Sequence, residues 1–176
     1  DIGGGSTEVV LIDQGKVIKS SSLSIGSLSA FNDYVEGLFV DKASRKKIEN
    51  RVVQLFDDTS MYREDFNVLS AVGGSARAAL MVYREYYGLT DDVRSMDAAD
   101  FEAMVKDIIK KSDKKKMRLI LDIKPDRIHT LLPGMIIMNE ICKFFSVEKI
   151  NVSQTGVREG YVYSKLLGLS LIHISE

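Results

Sequence analysis

The sequence is poor in the residues that form disulfide frameworks and metal clusters. Cys142 is the single cysteine among 176 residues, which excludes an intramolecular disulfide and a multi-cysteine zinc site. The two histidines, His129 and His173, are too few for a histidine-rich metal site. We therefore interpret Cys142 as a core residue and His129 as a structural residue, and we assign no role to His173.

The sequence also has no large excess of charge of one sign and no long apolar run. The 24 basic and 25 acidic residues leave a net charge of −1, which removes any global electrostatic argument for a nucleic acid partner. No apolar run approaches the roughly 18 residues of a membrane span, and the N-terminus has no basic-then-apolar signal pattern. We expect a cytoplasmic protein with no nucleic acid partner and no membrane partner.

What the chain does contain is typical of one globular domain. It is 45% hydrophobic and 28% charged, at a length that allows a real core. Extended runs at 9–12 and 16–25 flank a turn and predict a hairpin. The remaining predictions are strands at 67–72 and 149–153 and helices at 29–37, 41–58, 77–87, 97–109, 135–145 and 157–167. This order predicts an α/β or α+β protein built around a mixed sheet.

Local signals add detail to three of these helices. Ser75 is placed to cap the helix at 77–87, and Asp97 is placed to cap the next one. The run from Lys110 to Arg118 is basic, and its simplest interpretation is a solvated helix end, although a long polyanion would also be attracted to it. The segment 135–145 is apolar nearly all round, which indicates a buried helix.

The first eight residues carry the most informative chemical pattern. The groups suited to phosphate oxygens are the flexible backbone amides and hydroxyls of Gly3, Gly4, Gly5, Ser6 and Thr7. The flanking carboxylates of Asp1 and Glu8 could hold a divalent cation or orient an attacking water. The pattern alone leaves open that the glycines form a plain turn.

A second glycine turn occurs in the middle of the chain. Gly73, Gly74 and Ser75 open a helix that also carries Arg77, and the N-terminus of a helix favours an anion or a nucleotide phosphate. A tight strand-to-helix connection is the alternative. Neither glycine turn matches a P-loop or a dinucleotide fingerprint, since no Gly-Lys-Ser/Thr follows and the glycine spacing differs.

A third motif lies near the C-terminal end. Gly156-Val157-Arg158-Glu159-Gly160 places a charge pair at the start of the last predicted helix. Arg158 either forms a salt bridge at the helix start or faces a phosphate cleft.

These motifs together resemble those of the Ppx/GppA family, the exopolyphosphatases and guanosine pentaphosphate phosphatases of the actin-like ATPase superfamily. Asp1–Glu8 resembles the family's second phosphate motif. The other matching stretches, in order, are Ser24-Ile25-Gly26-Ser27, Val72 to Arg77, Pro125-Asp126-Arg127 and Gly156 to Gly160. The resemblance covers essentially residues 1–168.

The resemblance implies an α/β fold of the ribonuclease-H-like type, a mixed sheet flanked by helices, of which residues 1–168 would be the second lobe. Asp1 and Glu8 would be the catalytic carboxylates around Mg²⁺ or Mn²⁺, and the first glycine turn with Ser6 and Thr7 would bind the terminal phosphates. The nucleotide or polyphosphate side would be formed by Gly73, Gly74, Ser75, Arg77 and Arg158. The implied reaction is the release of orthophosphate from polyphosphate or guanosine pentaphosphate.

Further expectations come with the resemblance. The family's first lobe carries another phosphate loop and the glutamate usually cast as the catalytic base, so we expect this chain alone to be inactive. A homodimer is expected of the complete, bacterial protein. The segment 169–176 continues no earlier pattern and is interpreted as a tail that could be non-native.

Two departures from the family pattern bear on the substrate. Ser29 and Gln154 stand where the family often has Arg and Asp. Two alternatives therefore stay open: an ATP-using kinase or ATPase of the same superfamily, and a non-catalytic sensor of polyphosphate or guanosine tetraphosphate.

Overall fold

The computed structural model of the chain describes residues 1–59, 61 and 65–166, with the backbone alone at 157 and 158. The predicted end of the lobe at 168 and the predicted tail at 169–176 lie outside these residues. None of the helices in the described ranges is both long and apolar enough to cross a membrane.

A two-stranded hairpin forms the first sheet. Strand β1 (Thr7–Asp13) pairs antiparallel with β2 (Lys16–Leu23), as the sequence predicted. Gln14 and Gly15 form the turn with positive φ angles of 47° and 75°. Such angles suit the two-residue turns whose twist matches that of the flanking strands.

The second sheet has three strands and is mixed, which confirms the predicted mixed α/β architecture. It consists of β3 (Val68–Ala71), β4 (Ser95–Asp97) and β5 (Lys149–Val152) in the order β3-β5-β4. The β3 strand runs parallel to β5, and β4 runs antiparallel to it. The three residues of β4 are too few to show the alternation by which strands are recognised in a sequence.

Seven helices complete the described part of the chain. They are α1 (Ser27–Tyr34), α2 (Lys42–Asp57), α3 (Gly73–Tyr87), α4 (Ala98–Lys110), α5 (Asp113–Ile123), α6 (Leu131–Phe144) and α7 (Val157–Leu166). A short 3₁₀ helix, Pro125–Arg127, precedes α6. The α4 helix is capped as predicted, because the Asp97 carboxylate accepts hydrogen bonds from the amides of Ala99 and Asp100.

The α6 helix is the centre of the core. Its residues are buried on all sides, which confirms the prediction for 135–145. It begins earlier than predicted, at Leu131, and Pro133 is tolerated because it lies in the first turn. Burial raises the pKa of Cys142 to about 12, as expected for a thiol in the core. The ring of His129 packs against Phe31, with centroids 4.5 Å apart.

The basic run from Lys110 to Arg118 does not form the single solvated helix end that the sequence predicted. The run continues past the end of α4 at Lys110 and forms most of the first turns of α5. Lys116 within it is 3% exposed, and its ammonium donates to the carbonyl of Val40 at 2.9 Å and to Asp113 at 3.2 Å. A buried lysine is tolerated when its ammonium is hydrogen-bonded, so Lys116 ties α5 to the chain before α2.

Candidate functional site

Both glycine turns border one polar cavity of about 590 Å³. The N-terminal ends of α1, α3, α6 and α7 also border it, through Ser27, Gly73, Thr130 and Gly156. Helix N-termini carry partial positive charge, although the first amides of α1 already donate to the carbonyls of Gly3 and Gly4. Their convergence therefore makes this cavity a strong candidate for binding an anion.

The first glycine turn is a short hairpin locked onto α1. Ile2 pairs with Thr7, and the amide of Gly3 donates to the carbonyl of Ser6 at 2.9 Å. The carbonyls of Gly3 and Gly4 accept hydrogen bonds from the first amides of α1, at 2.8 to 2.9 Å. The amides of α1 thus satisfy the carbonyls of Gly3 and Gly4. These hydrogen bonds fix the orientation of the peptide groups in the first glycine turn.

Close packing between this turn and α1 depends on Gly26. A Cβ added there would lie 2.5 to 2.6 Å from backbone atoms of Gly4 and Gly5, distances that backbone atoms cannot accommodate without moving. Gly26 belongs to the 24–27 stretch noted in the sequence. A glycine here is required for close approach rather than for an unusual backbone angle.

The amides of this turn are available to a ligand. Among the described residues, no hydrogen-bond acceptor meets the N–H groups of Gly4 and Gly5. Gly3 and Gly4 line the cavity, whereas Gly5 lies on the exposed side of the turn. The predicted binding residue Thr7 is fully buried, and its hydroxyl donates to the carbonyl of Ile25 at 2.7 Å. The geometry therefore gives Thr7 a structural contact and offers Gly4 to the ligand.

The second glycine turn begins α3 earlier than predicted. The helix starts at Gly73, with Val72 at the N-cap position and no side-chain cap. The prediction that Ser75 caps this helix is wrong, because its hydroxyl donates instead to the carbonyl of Ile2, at 2.8 Å. Ser75 therefore joins the two glycine turns, a long-range contact that local sequence cannot indicate.

Two charged side chains lie close to the glycines of the second turn. Gly73 has φ of 91°, and a Cβ added there would lie 2.3 Å from a carboxylate oxygen of Asp1. A Cβ on Gly74 would lie 2.3 Å from the guanidinium of Arg127. Both glycines thus make room for charged groups that line the cavity.

Arg127 also lines the cavity, and the sequence left it without an assigned role. Its Nη1 donates weakly to the Ser75 hydroxyl at 3.4 Å, and its buried Nε has no hydrogen-bond partner in the described part of the chain. A buried donor without a partner is costly, and the residue that carries it lines the cavity. The signal was present in the stretch Pro125-Asp126-Arg127, which was noted as a motif without a role.

The two predicted catalytic carboxylates lie in different places. Asp1 lines the cavity beside Gly73. Glu8 does not border the cavity; its carboxylate accepts hydrogen bonds from the hydroxyls of Ser6, at 2.6 Å, and Ser22, at 3.4 Å. The structure therefore brings Asp1, but not Glu8, to the cavity surface.

The third motif also reaches the cavity. Glu159 borders it, and its carboxylate accepts a hydrogen bond from the amide of Gly156 at 2.8 Å. This contact satisfies the amide of the residue just before α7, as in a capping box. The side chain of Arg158, predicted to face the substrate, lies outside the described residues.

Charge around the cavity is mixed. Three carboxylates border it, those of Asp1, Asp126 and Glu159, against the two guanidiniums of Arg77 and Arg127. Asp126 is partly neutralised by Lys124 at 3.3 Å. Within the described ranges, no group of three histidine, cysteine or acidic side chains is arranged to hold a metal ion. The positive potential for an anion thus comes mainly from backbone amides and helix ends.

Comparisons with known proteins match nearly the whole chain to one family. The chain matches the model of the Ppx/GppA phosphatase family over residues 1–169. A putative exopolyphosphatase from Haemophilus influenzae is 21% identical over 164 residues, which cover 93% of this chain and 50% of that protein. The chain therefore spans about half the length of this relative.

Solved structures show the same fold. A Ppx/GppA family member from Aquifex aeolicus superposes with a TM-score of 0.77 at 17% identity, over 95% of this chain and 55% of that one. An exopolyphosphatase from Cytophaga hutchinsonii gives a TM-score of 0.73 at 15% identity, over 96% of this chain and 56% of that one. Because the family model matches nearly the whole chain, including all three glycine motifs, the chain belongs to the Ppx/GppA phosphatase family.

Proposed function

We propose that the complete protein hydrolyses the terminal phosphoanhydride bond of inorganic polyphosphate, or of guanosine pentaphosphate, and releases orthophosphate. The reaction would take place in a cleft between this lobe and an N-terminal lobe. The observation that carries the proposal is the cavity itself, which is bordered both by Gly4, whose amide has no partner among the described residues, and by the first turn of α3. Backbone amides placed this way stabilise charge on phosphate oxygens.

Two arginines suit the terminal phosphates in this proposal. Arg127 offers a guanidinium whose Nε lacks a partner, and Arg77 lies on the first turns of α3 at the cavity edge. A guanidinium can bind two phosphate oxygens at once, which fixes the orientation of the group. Arg127 would bind the phosphate next to Ser75, since that hydroxyl is already its neighbour.

A divalent cation fits the donor set at the cavity. Mg²⁺, or Mn²⁺, is commonly held by one or two carboxylates together with oxygens of the substrate phosphates, so a cluster of three acidic residues is not required. The carboxylate of Asp1 lies at the cavity surface and is suited to this role. When bound, the ion would neutralise charge on the phosphates, which the acidic side of the lining cannot do.

Glu8 has a different part in the proposed mechanism. Its hydrogen bond from Ser6 holds the exposed side of the first glycine turn, so in this lobe Glu8 acts as a positioning residue. Its predicted roles as a metal ligand and in orienting the attacking water remain predictions. The proton of the attacking water would be taken by a base in the N-terminal lobe.

The decisive experiment measures orthophosphate release by the complete protein. Polyphosphate, guanosine pentaphosphate and ATP are compared with and without Mg²⁺. We expect metal-dependent release from at least one of the first two, and a fall of about 100-fold or more in kcat for Asp1→Asn. Asp13→Asn, at the tip of the β1–β2 hairpin, is the matched control and should be unchanged.

Other outcomes would identify the alternatives. Consumption of ATP with transfer to an acceptor, and no release from polyphosphate or guanosine pentaphosphate, would favour a kinase-like member of the superfamily. Tight binding of polyphosphate without turnover would favour a sensor.

A further inference from the structure

A groove lined mainly by basic side chains lies between α2 and α4. It has a volume of about 320 Å³, and no residue of its described lining borders the polar cavity. Its cations are Lys42, Arg45, Lys46, Lys106 and Lys110. We call this surface the basic groove. Its five cations against one carboxylate, that of Glu49, contrast with the net charge of −1 of the whole chain.

Part of the charge in the basic groove is balanced by neighbouring side chains. The Arg45 guanidinium donates to Glu49 at 2.5 Å, and Lys106 pairs with Glu102 at 2.7 Å. Lys143 of α6 completes this network, with its ammonium 3.1 Å from Glu102 and 3.9 Å from Glu49. Arg45 and Lys106 are therefore held in ion pairs between the packed helices.

The other three lysines of the groove have no such partners. Among the described residues, no carboxylate forms an ion pair with Lys42, Lys46 or Lys110, and all three residues are exposed. Asp107, three residues before Lys110, is instead paired with Lys111. Like charges that are brought together without counter-charges repel each other. An anion bound among these lysines would therefore stabilise the arrangement.

The unpaired lysines lie toward the end of α6 that borders the polar cavity. At the other end of α6, Phe144 stacks on Phe56 near the end of α2, with ring centroids 4.2 Å apart. Glu102, in the first turns of α4, also reaches that far end, through Lys143. The unpaired lysines occupy the opposite parts of these two helices, the start of α2 and the end of α4. Both helices thus bring them back toward the cavity.

The α5 helix spans the interval between the basic groove and the cavity. It follows Lys110 closely, and Lys116 ties its first turns to the carbonyl of Val40, just before α2. The 3₁₀ helix after α5 carries Arg127, which lines the cavity. The 11 residues of α5 measure about 16 Å. A ligand that occupies both the cavity and the basic groove is therefore a long anion.

The lining of the groove favours a chain of phosphates over a nucleic acid or a membrane. Lys42 and Lys46 are one helical turn apart, as are Lys106 and Lys110, so each helix repeats a cation about every 6 Å. No aromatic side chain belongs to the described lining, so bases would have no stacking surface. The apolar residue of the lining, Ile109, is 4% exposed and offers no apolar face to a lipid surface.

We propose that the basic groove binds the distal part of a linear polyphosphate chain whose terminal phosphate lies in the polar cavity. This inference rests on the proposed function for the terminal group and adds a second contact, away from the reacting bond. Lys46 and Lys110, which line the groove from different helices, bind successive parts of the chain. The contact lowers the dissociation constant for long chains and leaves that for short chains unchanged, because a short chain in the cavity does not reach the groove.

Isothermal titration of the complete protein, with Mg²⁺ chelated to prevent turnover, tests the groove by binding alone. Lys46→Gln/Lys110→Gln removes one cation from each helix, and Lys16→Gln/Lys149→Gln, in β2 and β5 outside the groove, is the matched control. We expect the groove variant to bind long polyphosphate about 10-fold more weakly, and tripolyphosphate within about twofold of the original protein. The control variant should bind both as the original protein does.

Three results would overturn the proposal. One is long-chain binding that is equal in the two double variants, since this would reflect unspecific attraction to positive charge or none. Another is an equal loss for long polyphosphate and tripolyphosphate, which would mean that the two lysines act at the cavity. The third is single-stranded RNA of similar length that binds as tightly and is as sensitive to the groove variant, which would assign the groove to nucleic acid.

Failure of the groove and failure of the proposed hydrolase give different results. If the complete protein releases no orthophosphate, yet the groove variant weakens long-chain binding as expected, the proposed function fails and the groove stands. If release is normal, but the groove and control variants have equal KM for long polyphosphate, the groove fails and the proposed function stands.

Discussion

The two glycine turns border the same cavity and use glycine for different reasons. At the first turn, Gly26 lets the backbone of α1 approach the backbone of Gly4 and Gly5. At the second turn, Gly73 and Gly74 make room for the charged side chains of Asp1 and Arg127. Glycines around one cavity can thus serve backbone contact, as Gly26 does beside the first turn, or side-chain placement, as Gly73 and Gly74 do, and substitutions at these positions should have different consequences.

The largest loss of stability is expected at the first turn. In Gly26→Ala, the methyl group meets backbone atoms on a packed helix, and backbone cannot rotate away as a side chain can. Overpacking of this kind costs about 2 to 3 kcal/mol of unfolding free energy. Denaturant unfolding measures this loss. Gly37→Ala, whose nearest neighbour to an added Cβ is 3.9 Å away, is the control, and an equal loss in both would contradict the close contact.

The next largest effect is expected at Gly73, where stability and activity should fall together. In Gly73→Ala, a side chain at positive φ costs about 1 to 2 kcal/mol, and the Asp1 carboxylate must also move. Orthophosphate release by the complete protein should fall about 100-fold. Gly88→Ala has φ of 64° but open space around the added Cβ. It should lose similar stability and keep its activity; if its activity falls as far, displacement of Asp1 is not the cause.

Substitution of Arg127, beside the second turn, should lower kcat/KM without lowering the unfolding free energy. Arg127→Gln should lower kcat/KM for polyphosphate about 10-fold to 100-fold, because one charge-assisted contact to phosphate is lost. Its unfolding free energy should hardly change, since within the described part of the chain the guanidinium makes a single weak hydrogen bond. Steady-state kinetics and denaturant unfolding check both parts. Gly74→Ala should have a similar kinetic effect by displacing the same guanidinium, and the double variant should be less than additive.

The smallest effect is expected at Gly5. An added Cβ there meets nothing within 4 Å, and the residue lies outside the cavity lining. Gly5→Ala should therefore keep kcat/KM within about threefold and stability within about 0.5 kcal/mol of the original protein. A loss as large as that of Gly26→Ala would show that the exposed side of the turn is itself part of the binding surface.

Local signals in the sequence predicted most elements of the fold. The β1–β2 hairpin, the Asp97 cap and the buried α6 helix each depend on neighbouring residues, and all three are confirmed. Two elements, the short strand β4 and the helix α5, were not predicted. Other features that the sequence did not predict depend on distant residues. Ser75 was interpreted as a helix cap because its hydroxyl is close to α3 in sequence, yet it bonds to the carbonyl of Ile2.

Prediction of the candidate site is limited in the same way, because many of its contacts join residues that are distant in the sequence. The glycine turns were recognisable because consecutive glycines free the backbone for tight turns and close approach, and both reach the cavity. The separation of Asp1 from Glu8, the guanidinium of Arg127 beside Gly74 and the burial of Lys116 all arise when elements pack together. Spacing along the chain carries no information about such contacts.

The most direct test of the proposed phosphate site is an NMR titration of the complete protein with selectively ¹⁵N-labelled glycine. Tripolyphosphate is added in the presence of Mg²⁺, and the amide resonances of Gly4 and Gly74 are followed. We expect both to shift and to saturate together, while Gly15 and Gly88, at turns remote from the cavity lining, remain in place. Saturable binding that leaves Gly4 and Gly74 unshifted would contradict the assignment of this cavity as the phosphate site.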